Sequence, residues 1–364
     1  MIERMIESLE RWRGRRVAVA MSGGVDSSLA ASLLARAGAE VVGVHMRTQP
    51  SPPGEHARDA RAVAASMGFE FHDFDLSEMF RGDVVDPFID DYLAGRTPNP
   101  CAICNRRLKF GALLDRALSL GAEAIATGHY ARVRMNEAGR CELYRAADGS
   151  RDQTYFLFGL GQEQLRRAIF PLGDLKKSDV RELARELGLE VADKPDSVEI
   201  CFIPGNDYRR FLAQEAGERL EGREGVIVNA SGEVLGRHAG AHNFTIGQRK
   251  GLGIAAPRPL YVVGIDNDTQ TVTVGYEEEL LAQSLTIERV NWVSLAPQAE
   301  PLRARVRIRY RSPGFMGMIF PEPDGRARIE FDEPVRAITP GQAAVAYDDG
   351  GDERVLFGGW IRKE

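Results

Sequence analysis

Met21-Ser22-Gly23-Gly24-Val25-Asp26-Ser27-Ser28 follows a short apolar run, Val17-Ala18-Val19-Ala20, and precedes an Ala/Leu-rich segment that ends near Ala37-Gly38. The order reads as strand, glycine turn, helix. Such a turn aims several backbone N–H groups and a helix N-terminus at one point, where a phosphate-sized anion can sit. Gly23 and Gly24 let the backbone come close to that anion. Ser22, Ser27 and Ser28 can donate hydroxyl hydrogen bonds, and Asp26 could hold a magnesium ion. The chain contains no Gly-x4-Gly-Lys-Ser/Thr, so this is not a kinase-type phosphate loop.

Outward from this turn, strand and helix patterns alternate. Strands are expected at Arg16–Ala20, Glu40–His45, Glu70–Asp75 and Ala122–Ala126. Helices are expected at Leu29–Ala37, Arg58–Met67, Asp86–Leu93 and Arg107–Leu120, with a turn-rich loop at Pro50–Gly54. This order predicts an α/β fold with a doubly wound parallel sheet, whose ligands sit at the carboxyl ends of the strands. Ser22, Met46 and the pair Gly128-His129 all fall at such ends. Helical patterns continue at Gln162–Ile169 and Lys177–Leu187. From about Glu221 the texture turns to hairpins, and from Ile287 almost every segment reads as a strand. The chain is therefore divided into an α/β unit (1–210), a small β-rich middle unit (211–283) and a C-terminal β-barrel (284–364).

The 364 residues are 43% hydrophobic and 27% charged, as in a soluble globular protein. The formal net charge of -6 gives no global basic field, so a nucleic-acid partner would have to meet a local patch. No apolar run reaches the roughly 18 residues of a membrane span. The charged N-terminus reads as an amphipathic helix and not a signal peptide. Four cysteines in a chain of this length suggest thiol chemistry or metal binding in a reducing cytoplasm, and not a disulfide framework.

Two of these cysteines lie in Gly95-Arg96-Thr97-Pro98-Asn99-Pro100-Cys101-Ala102-Ile103-Cys104-Asn105. The prolines keep this loop out of helix and sheet, and Cys104 is expected at a helix start with Arg106, Arg107 and Lys109 behind it. A helix N-terminus and nearby cations lower a thiol pKa. Cys201 lies in Ser197-Val198-Glu199-Ile200-Cys201-Phe202-Ile203-Pro204, and Cys141, in a hairpin-like stretch, reads as structural. Further on, Leu302 to Arg311 carries arginine at every second position. As a strand it would place five guanidinium groups on one face, fit either for an RNA backbone or for solvent. His129 could touch a nucleotide or be structural, and His238 and His242 are too weakly placed to suggest a metal.

The glycine turn resembles the SGGxDS pyrophosphate loop of the PP-loop ATP pyrophosphatases, which split ATP into AMP and pyrophosphate. The ordered set SGGVDSS, GRTPNPxxxCN, ATGHYAR (Ala126), DQTYFL (Asp152), SVEICFIP, FTIGQRKGLGI (Phe244), RIRYR (Arg307) and AITPGQAAV (Ala337) is similar to the tRNA-specific 2-thiouridylase family. That family replaces O2 of the wobble uridine, uridine 34, with sulfur. The resemblance implies that Cys104 is the nucleophile and that Cys201 carries the incoming sulfur. It implies that Ala20, Met21, Ser22, Gly23, Gly24, Val25, Asp26, Ser27, Met46 and Gly128 hold ATP with Mg2+. Asn99, Pro100 and Cys101 would contact the target base, and Arg151, Asp152, Gln153, Arg309 and Tyr310 the tRNA. Many members have aspartate where this chain has Cys101. The trio Cys101, Cys104 and Cys201 could instead ligate a [4Fe–4S] cluster with one open iron; a structural zinc, or a plain small residue at 101, are the other readings. A relay protein, a cysteine desulfurase or free sulfide would supply sulfur, and a monomer is the default. The rivals are a PP-loop ligase or amidotransferase, and a non-enzymatic RNA-binding protein.

Overall fold

The computed structural model describes residues 1–49, 57–195, 200–350 and 353–363. The turn read at Pro50–Gly54 and the Ser197–Glu199 part of the SVEICFIP motif lie outside them.

Five strands form one parallel sheet: β1 (Arg16–Ala20), β2 (Glu40–Arg47), β3 (Glu70–Asp75), β4 (Ala124–Ala126) and β7 (Ala168–Ile169). Their order is β3-β2-β1-β4-β7, so the direction of winding reverses between β1 and β4. Loops leaving the two strands at such a switch point diverge and open a crevice. The alternation of a strand's side chains makes β1 the centre of two cores. Val17 and Val19 face Leu29, Leu33, Val180 and Leu183 on one side of the sheet. Ala18 faces Leu108, Phe110, Leu113 and Ile125 on the other. Each of these large side chains is almost fully buried, and each contributes about 1.5–3 kcal/mol.

Three details depart from the sequence reading. Helix Val25–Arg36 begins at the turn itself, because Gly24 takes the extended N-cap conformation. Strand β2 runs to Arg47, which puts Met46 inside the strand. The end of the expected helix at 162–169 is instead β7, a two-residue edge strand too short to carry a pattern.

A hairpin, β5 (Ala131–Met135) and β6 (Cys141–Arg145), leaves the first unit and joins the last. The middle unit is a four-stranded sheet of β8 (Gly225–Val228), β9 (Val234–His238), β10 (Tyr261–Asp266) and β11 (Thr271–Gly275) over Ile227, Val262 and Val272. The C-terminal strands are β12 (Leu281–Trp292), β13 (Leu302–Arg307), β14 (Phe315–Pro321), β15 (Ala327–Arg336), β16 (Ala343–Tyr347) and β17 (Arg354–Ile361). They follow the order β12-β15-β14-β13-β16-β17, and β17 pairs back onto β12, closing an antiparallel barrel. Strand β17 also takes β6 at its N-terminal end, through Arg354 and Val355. No helix among the described residues is long and apolar enough to cross a membrane.

Candidate active site

The crevice at the switch point is a cavity of about 330 Å³ lined by Ala20, Met21, Ser22, Asp26, Ser27, Met46 and Gly128, with Val44, His45, Lys109, Leu113, Thr127, His129 and Gln153. The turn that forms its floor is held from within. Ser27 Oγ accepts from Ser22 N (3.2 Å) and donates to the Gly24 carbonyl (3.1 Å). Gly23 has φ +72, and a Cβ there would lie 2.5 Å from Asp59 Cβ, so helix Arg58–Ser66 (α) packs directly on the turn. Ser28 is corrected by the structure. Its hydroxyl is fully buried and donates to the Gly24 carbonyl (2.9 Å), so it does not face the cavity. Val25 belongs to the core below, and Gly23 and Gly24 shape the backbone without lining the cavity.

Asp26 is not bare. Lys177 Nζ donates to both its oxygens (2.7 and 2.8 Å), and Tyr130 OH donates to Oδ1 (2.8 Å). Lys194 pairs with Asp59 and donates to the Gly23 carbonyl (3.2 Å). Sequence reading missed both lysines, since contacts across 151 and 171 residues leave no local signal. His129 shares a 2.7 Å hydrogen bond with the Thr127 hydroxyl. Burial, helped by Lys109, pushes its pKa well below the usual imidazole range, so it is a neutral group in the cavity wall.

The cysteine loop is ordered differently from the expectation. The helix starts at Pro100, with Asn99 as N-cap accepting from Ala102 N (3.3 Å). Cys104 thus lies a full turn inside and is buried, and the chain continues as a π-helix, Asn105–Ala112. The expected low thiol pKa is overturned. Burial raises Cys104 to about 11, the neighbouring thiols of Cys201 and Cys101 add to this, and Lys109 opposes it. Cys101 and Cys201 reach solvent. Desolvation by the surrounding protein raises both, again against the pull of Lys109. Among the described residues no three His, Cys, Asp or Glu side chains are placed to hold a metal ion.

The loop expected to contact the target base is clamped by the other two units. Thr97 N donates to the Pro340 carbonyl (2.8 Å), and Gln342 Nε2 donates to the Thr97 and Pro98 carbonyls (both 3.1 Å). Asn267 Nδ2 of the middle unit donates to the Leu93 carbonyl (2.6 Å). Asn99 and Pro100 line a second, larger groove of about 910 Å³ between the first unit and the barrel. Six basic side chains line it, Arg96, Arg106, Arg107, Arg289, Arg362 and Lys363, against Asp83, Asp91 and Glu288, so this acidic protein carries a basic groove.

The residues expected at the RNA scatter. Gln153 accepts from Tyr130 N (2.9 Å) and lines the switch-point cavity. Asp152 is buried, accepting from Arg145 Nε (3.0 Å) and the Thr154 hydroxyl (2.9 Å), while Arg151 is exposed. The arginine stripe is also corrected. Strand β13 stops at Arg307, so only three arginines share its face. Arg303 pairs with Asp332, Arg305 with Asp349, and Arg307 lies over the Tyr347 ring. Arg309, beyond the strand, donates to the Ala337 carbonyl and to Thr339 Oγ1 (3.2 Å), and Tyr310 packs on Phe156 (4.6 Å between ring centres).

Three family descriptions match in sequence: a tRNA methyl transferase HUP domain over 15–205, a tRNA methyl transferase PRC-barrel domain over 209–276 and an aminomethyltransferase beta-barrel domain over 282–361. The tRNA-specific 2-thiouridylase MnmA of Koribacter versatilis is 46% identical over 96% of this chain and 99% of its own length. The chain belongs to the tRNA-specific 2-thiouridylase family. The member from Syntrophotalea carbinolica is 49% identical over 96% of this chain and 99% of its own length. Among solved structures, the NH3-dependent NAD synthetase of Campylobacter jejuni is 23% identical over 52% of this chain and 72% of its own, with a TM-score of 0.34.

Proposed function

We propose that the protein is a tRNA-uridine 2-sulfurtransferase that adenylates O2 of the wobble uridine and replaces it with sulfur, releasing AMP and pyrophosphate. One observation carries this reading. The cavity is lined both by a pyrophosphate-type turn and by Lys109 from the helical segment that bears Cys101 and Cys104.

A urea-like carbonyl oxygen leaves poorly, and AMP leaves well. ATP lies with its phosphates on the Ser22–Ser27 turn at the N-terminus of helix Val25–Arg36. O2 of the uridine attacks the α-phosphorus and pyrophosphate departs. Asp26 is the cavity-lining carboxylate that fits a magnesium ion, which asks for one or two carboxylates beside the phosphates. That ion would neutralise charge on the pyrophosphate, and Lys177 neutralises Asp26 in its absence. Cys201 takes a sulfane sulfur from an external persulfide or from sulfide with an oxidant, and its terminal sulfur attacks C2 as AMP leaves. The Cys104 thiolate then attacks Cys201 Sγ. The S–S bond to the nucleotide breaks, 2-thiouridine leaves with the electron pair on sulfur, and a Cys104–Cys201 disulfide remains for an external dithiol to reduce. No step runs through a cluster.

Residues 1–210 thus hold the chemistry. The anticodon loop enters the basic groove, where Asn99 and Pro100 meet the flipped base, and the middle and C-terminal units steady the loop. One chain supplies every group, so a monomer suffices. The test is nucleoside mass spectrometry of wobble-uridine tRNA after incubation with protein, ATP, Mg2+ and a persulfide donor. 2-Thiouridine at position 34 together with equimolar AMP is expected. AMP without thiolation would favour a PP-loop ligase, and absence of both would favour a simple RNA-binding protein.

A further inference from the structure

Lys109 has no task in the sequence of steps above. It lies in the π-helical segment Asn105–Ala112, five residues after Cys104. In an α-helix residue i+5 points well away from residue i, whereas a π-turn closes i to i+5 and brings the two back toward one face. The π-helix therefore explains how one side chain serves both neighbourhoods. Lys109 lines the nucleotide cavity with Ser22, Met46 and Gly128. Its charge also reaches Cys101, Cys104 and Cys201, opposing desolvation at each.

Its neutralisation state sets it apart. The two other lysines at the turn are matched by acids, Lys177 by Asp26 and Lys194 by Asp59. Lys109 is half-buried, and among the described residues no carboxylate pairs with it. A half-buried cation that no described carboxylate pairs with, facing a cavity, is placed to meet an anion brought by the substrate. Resting on the proposed function, we propose that Lys109 is a catalytic residue in both half-reactions. It stabilises the charge on the α-phosphate oxygens as pyrophosphate leaves, and then the charge on the sulfur that displaces AMP. Both charges develop at the same place, around O2 and C2 of one uracil, so one cation between turn and thiols can serve both. An ammonium on a flexible stem can follow the charge from phosphate to sulfur.

The test uses the full chain with Lys109→Met and Lys109→Arg, in single turnover with wobble-uridine tRNA, reading pyrophosphate and 2-thiouridine separately. Removing one preorganised charge from an oxyanion-type site costs about 100-fold or more. Lys109→Met is expected to lose about 100-fold in both pyrophosphate release and sulfur transfer from pre-formed adenylate, with unchanged tRNA affinity, and Lys109→Arg to recover about tenfold of each. Either half-reaction within about threefold of wild type in Lys109→Met, or a folded Lys109→Arg no better than Lys109→Met, overturns the shared role. If Lys109→Met loses its fold, Lys109→Gln replaces it under the same criteria. Wild type run alongside separates the two claims. No 2-thiouridine from wild type refutes the function itself, whereas an active wild type beside an equally active Lys109→Met refutes only the role of Lys109.

Discussion

Gly128→Ala places one methyl group where strand β4 hands over to the nucleotide cavity. A Cβ built on Gly128 lies 2.8 Å from Asp26 Cβ, 2.9 Å from the Asp26 carbonyl carbon and 2.9 Å from Ser27 N. Two of these three atoms are backbone of the pyrophosphate turn, so no flexible side chain can swing aside. Relief needs the turn and β4 to part by about half an ångström, and overpacking of this kind costs about 1–3 kcal/mol. Where the displacement falls decides the effect. Asp26 and Ser27 both line the cavity, and Asp26 is fixed by Lys177 and Tyr130. The distortion is thus concentrated at the phosphate site, and the same 1–3 kcal/mol taken from ATP binding amounts to roughly 5- to 150-fold. The assay is AMP formation with saturating tRNA as a function of ATP, beside a thermal melt. A rise in KM for ATP of that size is expected, with a fall in Tm of about 2–10 °C. Gly82→Ala is the control, since nothing lies within 4 Å of a Cβ there; it should leave KM unchanged. A Gly128→Ala enzyme with the wild-type KM for ATP would refute the close approach of β4 to the turn.

Other outcomes follow from the burial of single groups. Asp152→Ala removes a carboxylate that is 2% exposed and accepts from Arg145, Ala146 and Thr154. It should cost about 3–5 kcal/mol in urea denaturation, and unchanged stability with weakened tRNA binding would return Asp152 to the RNA surface. Cys141→Ser buries a hydroxyl in the β6 hairpin, where Cys141 is 2% exposed. Stability should fall by about 1–3 kcal/mol with thiolation within about twofold of wild type, and a dead but stable variant would contradict the structural reading. The resolving step needs the Cys104 thiolate, and burial has raised that thiol to about 11. The thiolate fraction therefore climbs about tenfold per pH unit below that value. Single-turnover release of 2-thiouridine should rise from pH 7 to 9 while AMP formation stays level, and a flat release rate would show that Cys104 is not the resolving group.

What could be read from sequence followed the range of the interactions. The glycine turn at Ser22 was legible as a structure because strand, Gly-Gly turn and helix are set by residues 17 to 37 alone. The cysteine helix was misplaced although its signal was present: Asn99 before Pro100 is an N-cap followed by proline at the first helical position. The low thiol pKa failed for another reason, because burial depends on what packs over Cys104 from far along the chain. Partners of the arginine stripe, Asp332 and Asp349, come from outside β13, so period-two spacing could give the face but not its neutralisation. Lys177 and Lys194 have no local pattern at all. The barrel's capture of the β5–β6 hairpin is equally invisible, since β6 meets β17 across more than two hundred residues.

The central claim is that uridine activation and sulfur delivery are separate steps, with the turn at Ser22 serving the first and Cys201 the second. Cys201→Ser separates them. In single turnover with wobble-uridine tRNA, ATP and a persulfide donor, pyrophosphate should appear at the wild-type rate with no 2-thiouridine. Wild-type levels of 2-thiouridine from Cys201→Ser would contradict the account.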